Sequence, residues 1–277
     1  MKTNVSFNNR LIRVKQVFIK IHIQFPNIFT NVFKARFRTV RLDDLCINGY
    51  KIYQDDCGFR FGTDAVLLAW FAGNKKFAKA ADLCAGNGVI SVILSTHNCC
   101  KEARGYEIDE GPFNLSKMTA EYNKITDKVS FYLRDIRNTE TDGTFPSAYF
   151  DLVTANPPYM TENSGLVSEA RGMARTELTC TVNDVVNAAN VLLKNGGRFC
   201  MINKPDRLTD AMCIMREKKI EPKRLMFVSA RNGKKPELFL IEGIKQGKPG
   251  LYCEPTLEIY GPDGAYTEKL NKIYGRI

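Results

Sequence analysis

The chain has 277 residues, 44% apolar and 25% charged, proportions of a folded globular protein rather than a disordered one, and its length suits one large domain, or one domain with an appendage. No run of 18 apolar residues lacks a charge, which excludes a transmembrane helix. Nine cysteines without C-x-x-C spacing argue against a zinc ribbon, and two histidines, His22 and His97, leave little for a histidine-ligated metal or a Ser-His-Asp triad.

The net charge of +10 is unevenly spread. Residues 1–42 hold nine Lys/Arg and no acid, leaving 31 basic against 30 acidic residues in the rest. The overall charge is therefore no evidence for a basic patch on the main body. Residues 1–40 contain no glycine and one serine, Ser6, and Lys15 and Lys20 interrupt their apolar stretch. Neither a secretory signal nor a serine-rich presequence fits. The segment is expected to be a poorly ordered basic extension without function, with a phosphate-gripping arm as the alternative. The odd number of scattered cysteines suits reduced thiols in a cytoplasm.

From Ala80 the pattern alternates short apolar runs with helix-period segments. Strands are expected at Ala80–Cys84, Ala103–Ile108, Val129–Leu133, Phe150–Ala155, Arg198–Ile202, Arg224–Ser229 and Glu237–Gly243. Helices fit between them: one from Val89 to Leu94, one whose first turn accepts Pro112, and one carrying Val182, Val185, Val186, Ala189, Leu192 and Leu193 on a face. Asn195-Gly196-Gly197 is expected to end that last helix. Such alternation indicates an α/β fold, a mostly parallel sheet with helices on both faces, and ligands in these sheets bind beyond the carboxyl ends of the strands.

The first of those loops reads Asp82-Leu83-Cys84-Ala85-Gly86-Asn87-Gly88. Gly86 and Gly88 allow a tight turn and close ligand approach, although a lone G-x-G also serves geometry alone. Ser91 stands where a dinucleotide fingerprint needs its third glycine, which disfavours a nicotinamide cofactor. The second loop begins with Glu107, either a ribose-binding carboxylate or a solvated strand-end acid. Asp109 beside it reads as a helix cap. The third carries Asp135, an acceptor for an exocyclic amine. Together the three suggest an adenosine-bearing cofactor laid across the sheet.

The fourth loop, Asn156-Pro157-Pro158-Tyr159, carries the chemistry. Prolines fix the backbone and lack N–H groups, leaving carbonyls to accept from a ligand. The Asn156 side-chain oxygen and the Pro157 carbonyl can accept both hydrogens of one planar –NH2 group. That disfavours delocalisation of the nitrogen lone pair into a ring, and Tyr159 can stack on the base. As a turn alone the motif also has a purely structural reading.

The four loops in this order resemble the class I S-adenosylmethionine-dependent methyltransferases of the amino-methylating N-P-P-Y branch, over about residues 41–277. The resemblance implies a Rossmann-like domain with a seven-stranded, mostly parallel sheet. It implies S-adenosylmethionine held by Asp82, Gly86, Asn87, Gly88, Glu107 and Asp135, with Asn156, Pro157, Pro158 and Tyr159 at the reacting amine. Cys84 departs from the family, whose loop usually has its first glycine there. The flanks narrow the likeness: Arg41–Leu45, Gln54, Gly58–Ala69, Ala174–Leu178 and Glu237–Glu242 through Gly264–Thr267 are similar to the bacterial valine-tRNA adenine-37 N6-methyltransferases. This implies Gly62 and Asp64 near the cofactor. It also implies a tRNA substrate for a cytoplasmic monomer, without metal or membrane.

For the tRNA backbone, Arg171 and Arg175 in the 161–178 loop are candidates, with Arg231, Lys234 and Lys235 as a second cluster; both also fit solvated surface. The rivals are glutamine methylation in a peptide release factor, which shares the N-P-P-Y logic, and a silent adenosine- or tRNA-binding module. A DNA adenine methyltransferase fits less well, for want of a target-recognition domain.

Overall fold

The computed structural model describes residues 40–55, 62–96, 99–158 and 180–277. By contact the chain divides into two units, Met1–Val40 with Asp55–Gly58, and Arg41–Gln54 with Phe59–Ile277. The described residues lie almost wholly in the second. The expected basic extension, apart from Val40, falls outside them, as do Tyr159, Arg171 and Arg175.

The described chain starts with a hairpin of β1 (Val40–Asp44) and β2 (Lys51–Asp55), then α1 (Thr63–Ala72) and β3 (Phe77–Leu83). Next come α2 (Val89–Thr96), β4 (Cys100–Glu107), α3 (Glu110–Tyr122), β5 (Val129–Leu133) and β6 (Phe150–Ala155). After 159–179 follow α4 (Val182–Leu192), β7 (Leu193–Asn203), α5 (Leu208–Glu217), β8 (Ile220–Ser229) and β9 (Leu238–Lys245). The two-residue strands β10 (Tyr252–Cys253) and β11 (Leu257–Glu258) precede α6 (Glu268–Ile273).

The main sheet runs β5-β4-β3-β6-β7-β9-β8, with β10 and β11 added along β8. Every pair is parallel except those of β9, which runs against both neighbours. The seven expected strands are thus present in a mostly parallel sheet, with two short edge strands besides. Central strands buried on both faces read as continuous apolar runs, which is how β6 (FDLVTA) appears. Alternate residues divide between two cores. Leu152, Cys200 and Ile202 join Leu67, Leu68, Val92 and Leu270 on one face. Val153, Phe199 and Met201 join Val185, Val186, Ala211 and Met215 on the other. Burying one such aliphatic side chain contributes about 1.5–3 kcal/mol, so this two-sided alternation holds the helices to the sheet.

Helix starts follow their caps. The Asp109 carboxylate accepts from the Gly111 N–H, as its place before Pro112 suggested, and Thr181 forms a reciprocal capping box with Asp184. One expectation needs correction, and two elements had none. Helix α4 ends at Leu192 rather than at Asn195-Gly196-Gly197; Leu193 is already extended and pairs with Phe150, and the glycines sit in a register irregularity at the start of β7. Helix α1 escaped the periodicity because seven of its ten residues are buried, leaving no polar stripe to read. The hairpin β1–β2 was not expected either. Its β2 strand is held at Lys51 by the residue that caps the end of α3: the Asn123 side chain accepts from the Lys51 N–H at 3.0 Å and donates to the Lys51 carbonyl at 2.7 Å.

Near the far edge, Glu242 of β9 is a buried carboxylate flanked by Arg198 of β7 and Arg224 of β8. The Cys200 thiol donates toward it at 3.8 Å, and Arg224 also donates to the Phe71 carbonyl at 2.5 Å. Among the described residues no helix is long and apolar enough to cross a membrane.

Candidate active site at the strand-order reversal

The chain builds outward from β3 through β4 to β5, then returns to the other side of β3 with β6 and β7. The reversal lies between β3 and β6, where open α/β sheets bind ligands. Register places the ends of these strands together: Leu83 pairs with Ala155 and with Tyr106, and Glu107 with Leu133. The glycine loop, Glu107 and Asn156 therefore leave the sheet side by side.

Within the glycine loop, Gly86 and Gly88 have φ of 56° and 90°, a region that side chains rarely enter. They differ in surroundings. A Cβ on Gly86 would meet nothing within 4 Å, so this turn opens onto free space. At Gly88 it would lie 2.5 Å from Phe131 Cζ, and on Gly105 of β4 it would lie 2.4 Å from Phe131 Cδ1. One aromatic ring thus fills the volume left by two glycines and supports the loop from below. Cys84 also has positive φ, 57°, so the residue that replaces the family glycine keeps the glycine conformation. Contact with Cys180, and then burial, push its thiol pKa well above the usual value.

The acidic residues divide into those under the loop and those at its surface. Asp82 is 1% exposed, and its carboxylate accepts from the Ser91 and Thr154 hydroxyls at 3.1 and 2.9 Å. It also takes the Ser91 backbone N–H and so anchors the start of α2. The structure thus places Asp82 as a brace beneath the loop rather than at a ligand-facing surface. Asn87 is likewise turned inward, its amide donating to the Tyr53 carbonyl of β2 at 3.3 Å.

Glu107 accepts from the Gly86 N–H at 2.7 Å and from the Ile108 and Asp109 N–H groups, both at 2.9 Å. It latches the second loop to the first, and about one acceptor position of its four remains for a ligand hydroxyl. Burial raises its pKa, while those three donors act the other way. Asp135 caps a short turn by accepting from the Arg137 N–H, and the Arg137 guanidinium holds its pKa below the usual value. It is a charged acceptor at neutral pH, shared with that arginine.

Of the fourth loop, Asn156 is part-buried, Pro157 buried and Pro158 exposed. The Asn156 amide nitrogen donates to the Asp64 carboxylate at 3.2 Å. Gly62 stands at the N-cap of α1 beside Asp64. The sequence set Gly62 and Asp64 beside the cofactor; the structure brings Asp64 to Asn156 of the fourth loop. It missed Ser91, Thr154, Phe131 and Gly105 as supports. Only Gly105, a glycine inside a strand, carried a local signal of close packing.

The arrangement fits an adenosine-bearing cofactor: an open glycine turn, a ribose-range carboxylate with spare acceptor capacity, and a charged acid on the next loop.

Burial raises the Asp82 pKa from 3.8 to about 7. A raised folded-state pKa contributes stability that is full below pH 4 and lost as pH rises toward 7. The loss over that window is on the order of 4 kcal/mol. Asp82→Asn cannot ionise and should lack this component, so urea midpoints of variant and wild type should diverge in the variant's favour between pH 4 and pH 8. Parallel pH curves for the two proteins would show that the carboxyl does not titrate abnormally.

A family model described as the methyltransferase small domain matches residues 60–217, more than half of the chain. The tRNA1(Val) (adenine(37)-N6)-methyltransferase of Photorhabdus laumondii is 27% identical over 242 residues, 85% of this chain and 95% of that protein. The protein of the same name from Porphyromonas gingivalis is 27% identical over 197 residues, 70% and 77% of the two chains. Among solved structures, a predicted O-methyltransferase from Agrobacterium tumefaciens superposes with TM-score 0.61 at 18% identity, over 76% of this chain and 95% of that one. The tRNA m1G37 methyltransferase of M. jannaschii gives 0.54 at 17%, over 77% and 59%. These last two likenesses establish the fold.

Proposed function

Because the chain belongs to the methyltransferase small-domain family, we propose that it transfers a methyl group from S-adenosylmethionine to the N6 amine of an adenine in tRNA, adenine 37 of a valine tRNA. The observation that carries this reading is the position of Asn156-Pro157-Pro158 beside the glycine loop at the reversal of strand order. The names of the relatives support the choice of base and RNA. Free thiols among the described residues and a tRNA substrate fit a cytoplasmic protein.

Gly86 and Gly88 hold the methionine part of the cofactor, Glu107 its ribose and Asp135 its adenine, while Asp82 and Asn87 act through the loop they brace. The cofactor supplies an electrophilic sulfonium methyl. The chain's part is to orient the amine. A target adenine leaves its stack at a cost of a few kcal/mol, least in a single-stranded loop. The Asn156 Oδ1 and the Pro157 carbonyl accept the two N6 hydrogens, and Tyr159 stacks on the ring. Holding both hydrogens would keep the lone pair on nitrogen, so no strong base is needed: the N–C bond forms as the S–C bond breaks, S-adenosylhomocysteine leaves, and the surplus proton passes to solvent. Arg231, Lys234 and Lys235, all exposed in the β8–β9 connection at the same end of the sheet, hold tRNA phosphates together with Arg171 and Arg175.

The test is incubation of the enzyme with methyl-labelled S-adenosylmethionine and either total tRNA or peptide release factor, followed by nucleoside and amino-acid analysis. Label in N6-methyladenosine supports the reading. Label in glutamine of the release factor, or none, overturns it.

A further inference from the structure

Asp64 and Asn156 are 92 residues apart and meet at the mouth of the site. Asp64 lies in the first turn of α1, where the partial positive charge of a helix N-terminus favours a carboxylate. Its Oδ1 accepts from the Ala65 N–H at 2.9 Å, and its Oδ2 accepts from Asn156 Nδ2 at 3.2 Å. An ionised carboxylate only accepts, so the nitrogen end of the Asn156 amide must face it and the oxygen end must face the other way. Gly62 makes room for this: a Cβ there would stand 2.7 Å from Asp64 Oδ1.

We propose that Asp64 is a positioning residue that fixes the orientation of the Asn156 amide, so that Oδ1 is the end presented to the amine to be methylated. An asparagine amide has two ends of nearly equal shape and opposite hydrogen-bonding sense. Turned over, it would offer N–H to an amine whose hydrogens need an acceptor, and transfer would lose one of its two holding contacts. Asp64 removes that ambiguity before substrate arrives, from a helix end that is anchored by its own backbone. The proposal deepens the function proposed above and rests on it for the identity of the amine. The contact between the two side chains can be tested without substrate.

The experiment compares Asp64→Asn, Asp64→Ala and Gly62→Ala with wild type by single-turnover methylation of tRNA and by titration with S-adenosylhomocysteine. It adds the side-chain amide NMR signals of Asn156 in asparagine-labelled protein. Asp64→Asn keeps the shape but no longer dictates which end of Asn156 faces it. It and Asp64→Ala should lose about 100-fold in rate, the scale for a misplaced catalytic group, with S-adenosylhomocysteine affinity within a few-fold. Gly62→Ala, which displaces the carboxylate without removing it, should fall between these and wild type. Adding Asp64→Ala to Asn156→Ala should cost nothing further, and the Asn156 amide signals should shift in Asp64→Ala.

Full rate in Asp64→Asn overturns the proposal, as does affinity falling in step with rate, which would make Asp64 a cofactor contact. Unchanged Asn156 amide signals in Asp64→Ala also overturn it. A wild-type enzyme inactive on tRNA would instead sink the functional reading, and the NMR comparison would still decide on the pair.

Discussion

Asn156→Ala is expected to lower methyl transfer by about a thousand-fold or more while S-adenosylhomocysteine affinity stays within a few-fold. The asymmetry follows from where the side chain sits. Asn156 leaves the end of β6 one residue after Ala155, which pairs with Leu83 at the base of the glycine loop. It is near enough to serve the reacting amine but is not part of the loop. The glycine turn is held by Glu107, Asp82 and Phe131, whereas the Asn156 amide donates to Asp64. Removing one preorganised polar contact at a reacting centre costs about 100- to 1,000-fold in rate. Here the lost contact also localises the nucleophilic lone pair. Single-turnover kinetics with saturating tRNA, beside calorimetric titration of cofactor product, gives both numbers. Rapid methylation by the variant would remove Asn156 from the mechanism, and affinity collapsing with rate would make it a support of the loop instead.

Gly88→Ala should damage the cofactor site and the fold together. The added methyl would lie 2.5 Å from Phe131 Cζ and 3.2 Å from Ser116 Cβ, on a backbone with φ of 90°. A ring end can usually swing away. Phe131 also packs against Gly105 on the neighbouring strand, where a Cβ would come within 2.4 Å, so a shift of the ring disturbs two close contacts at once. Overpacking and left-handed strain together cost about 2–4 kcal/mol, a fall in melting temperature of roughly 5–15 °C for a domain of this size. Cofactor affinity should drop at least about tenfold as the turn deforms. Gly86→Ala is the control for stability: its Cβ would meet nothing within 4 Å, so only the backbone cost of about 1–2 kcal/mol applies to folding. Phe131→Leu should restore part of the loss in Gly88→Ala and none in Gly86→Ala. Thermal unfolding and product titration on wild type, the two glycine variants and their Phe131→Leu combinations check this. A Gly88→Ala protein melting within a degree or two of wild type would mean that the ring is not wedged as described.

Local pattern made the fold legible because a parallel sheet buried on both faces leaves plain apolar runs. Strands β5 and β6 carry the expected bounds, and β3, β4 and β9 differ from expectation by one to three residues at their ends. Extra length came from pairing: Phe77 and Cys100 extend two strands only because each gives the other a partner. The Asn195-Gly196-Gly197 run misled because glycine ends helices and also bulges strands, and the choice was made by Phe150 in a distant strand. Motif order was enough to expect Glu107 and Asn156 at neighbouring strand ends, which is where the sheet register puts them. It could not find that Asp82 is roofed over by two hydroxyls, or that Asp64 belongs with Asn156. Those facts depend on which side of a strand end a side chain leaves and on residues far away in the chain. What lies within one loop was readable; what depends on two loops meeting, as Asp64 with Asn156, was not.

Glu242 has a consequence for how the sheet assembles. Among the described strands of the main sheet β9 alone runs backwards, and most of its residues are apolar and buried. A slide by one residue would carry this carboxylate through to the opposite layer, among Phe199, Met201 and Leu225, with neither guanidinium following it. Stranding a charge there costs about 3–5 kcal/mol, comparable to much of a domain's whole margin. A single acid thus works as a zip tooth, rejecting misaligned closures that greasy residues alone would tolerate.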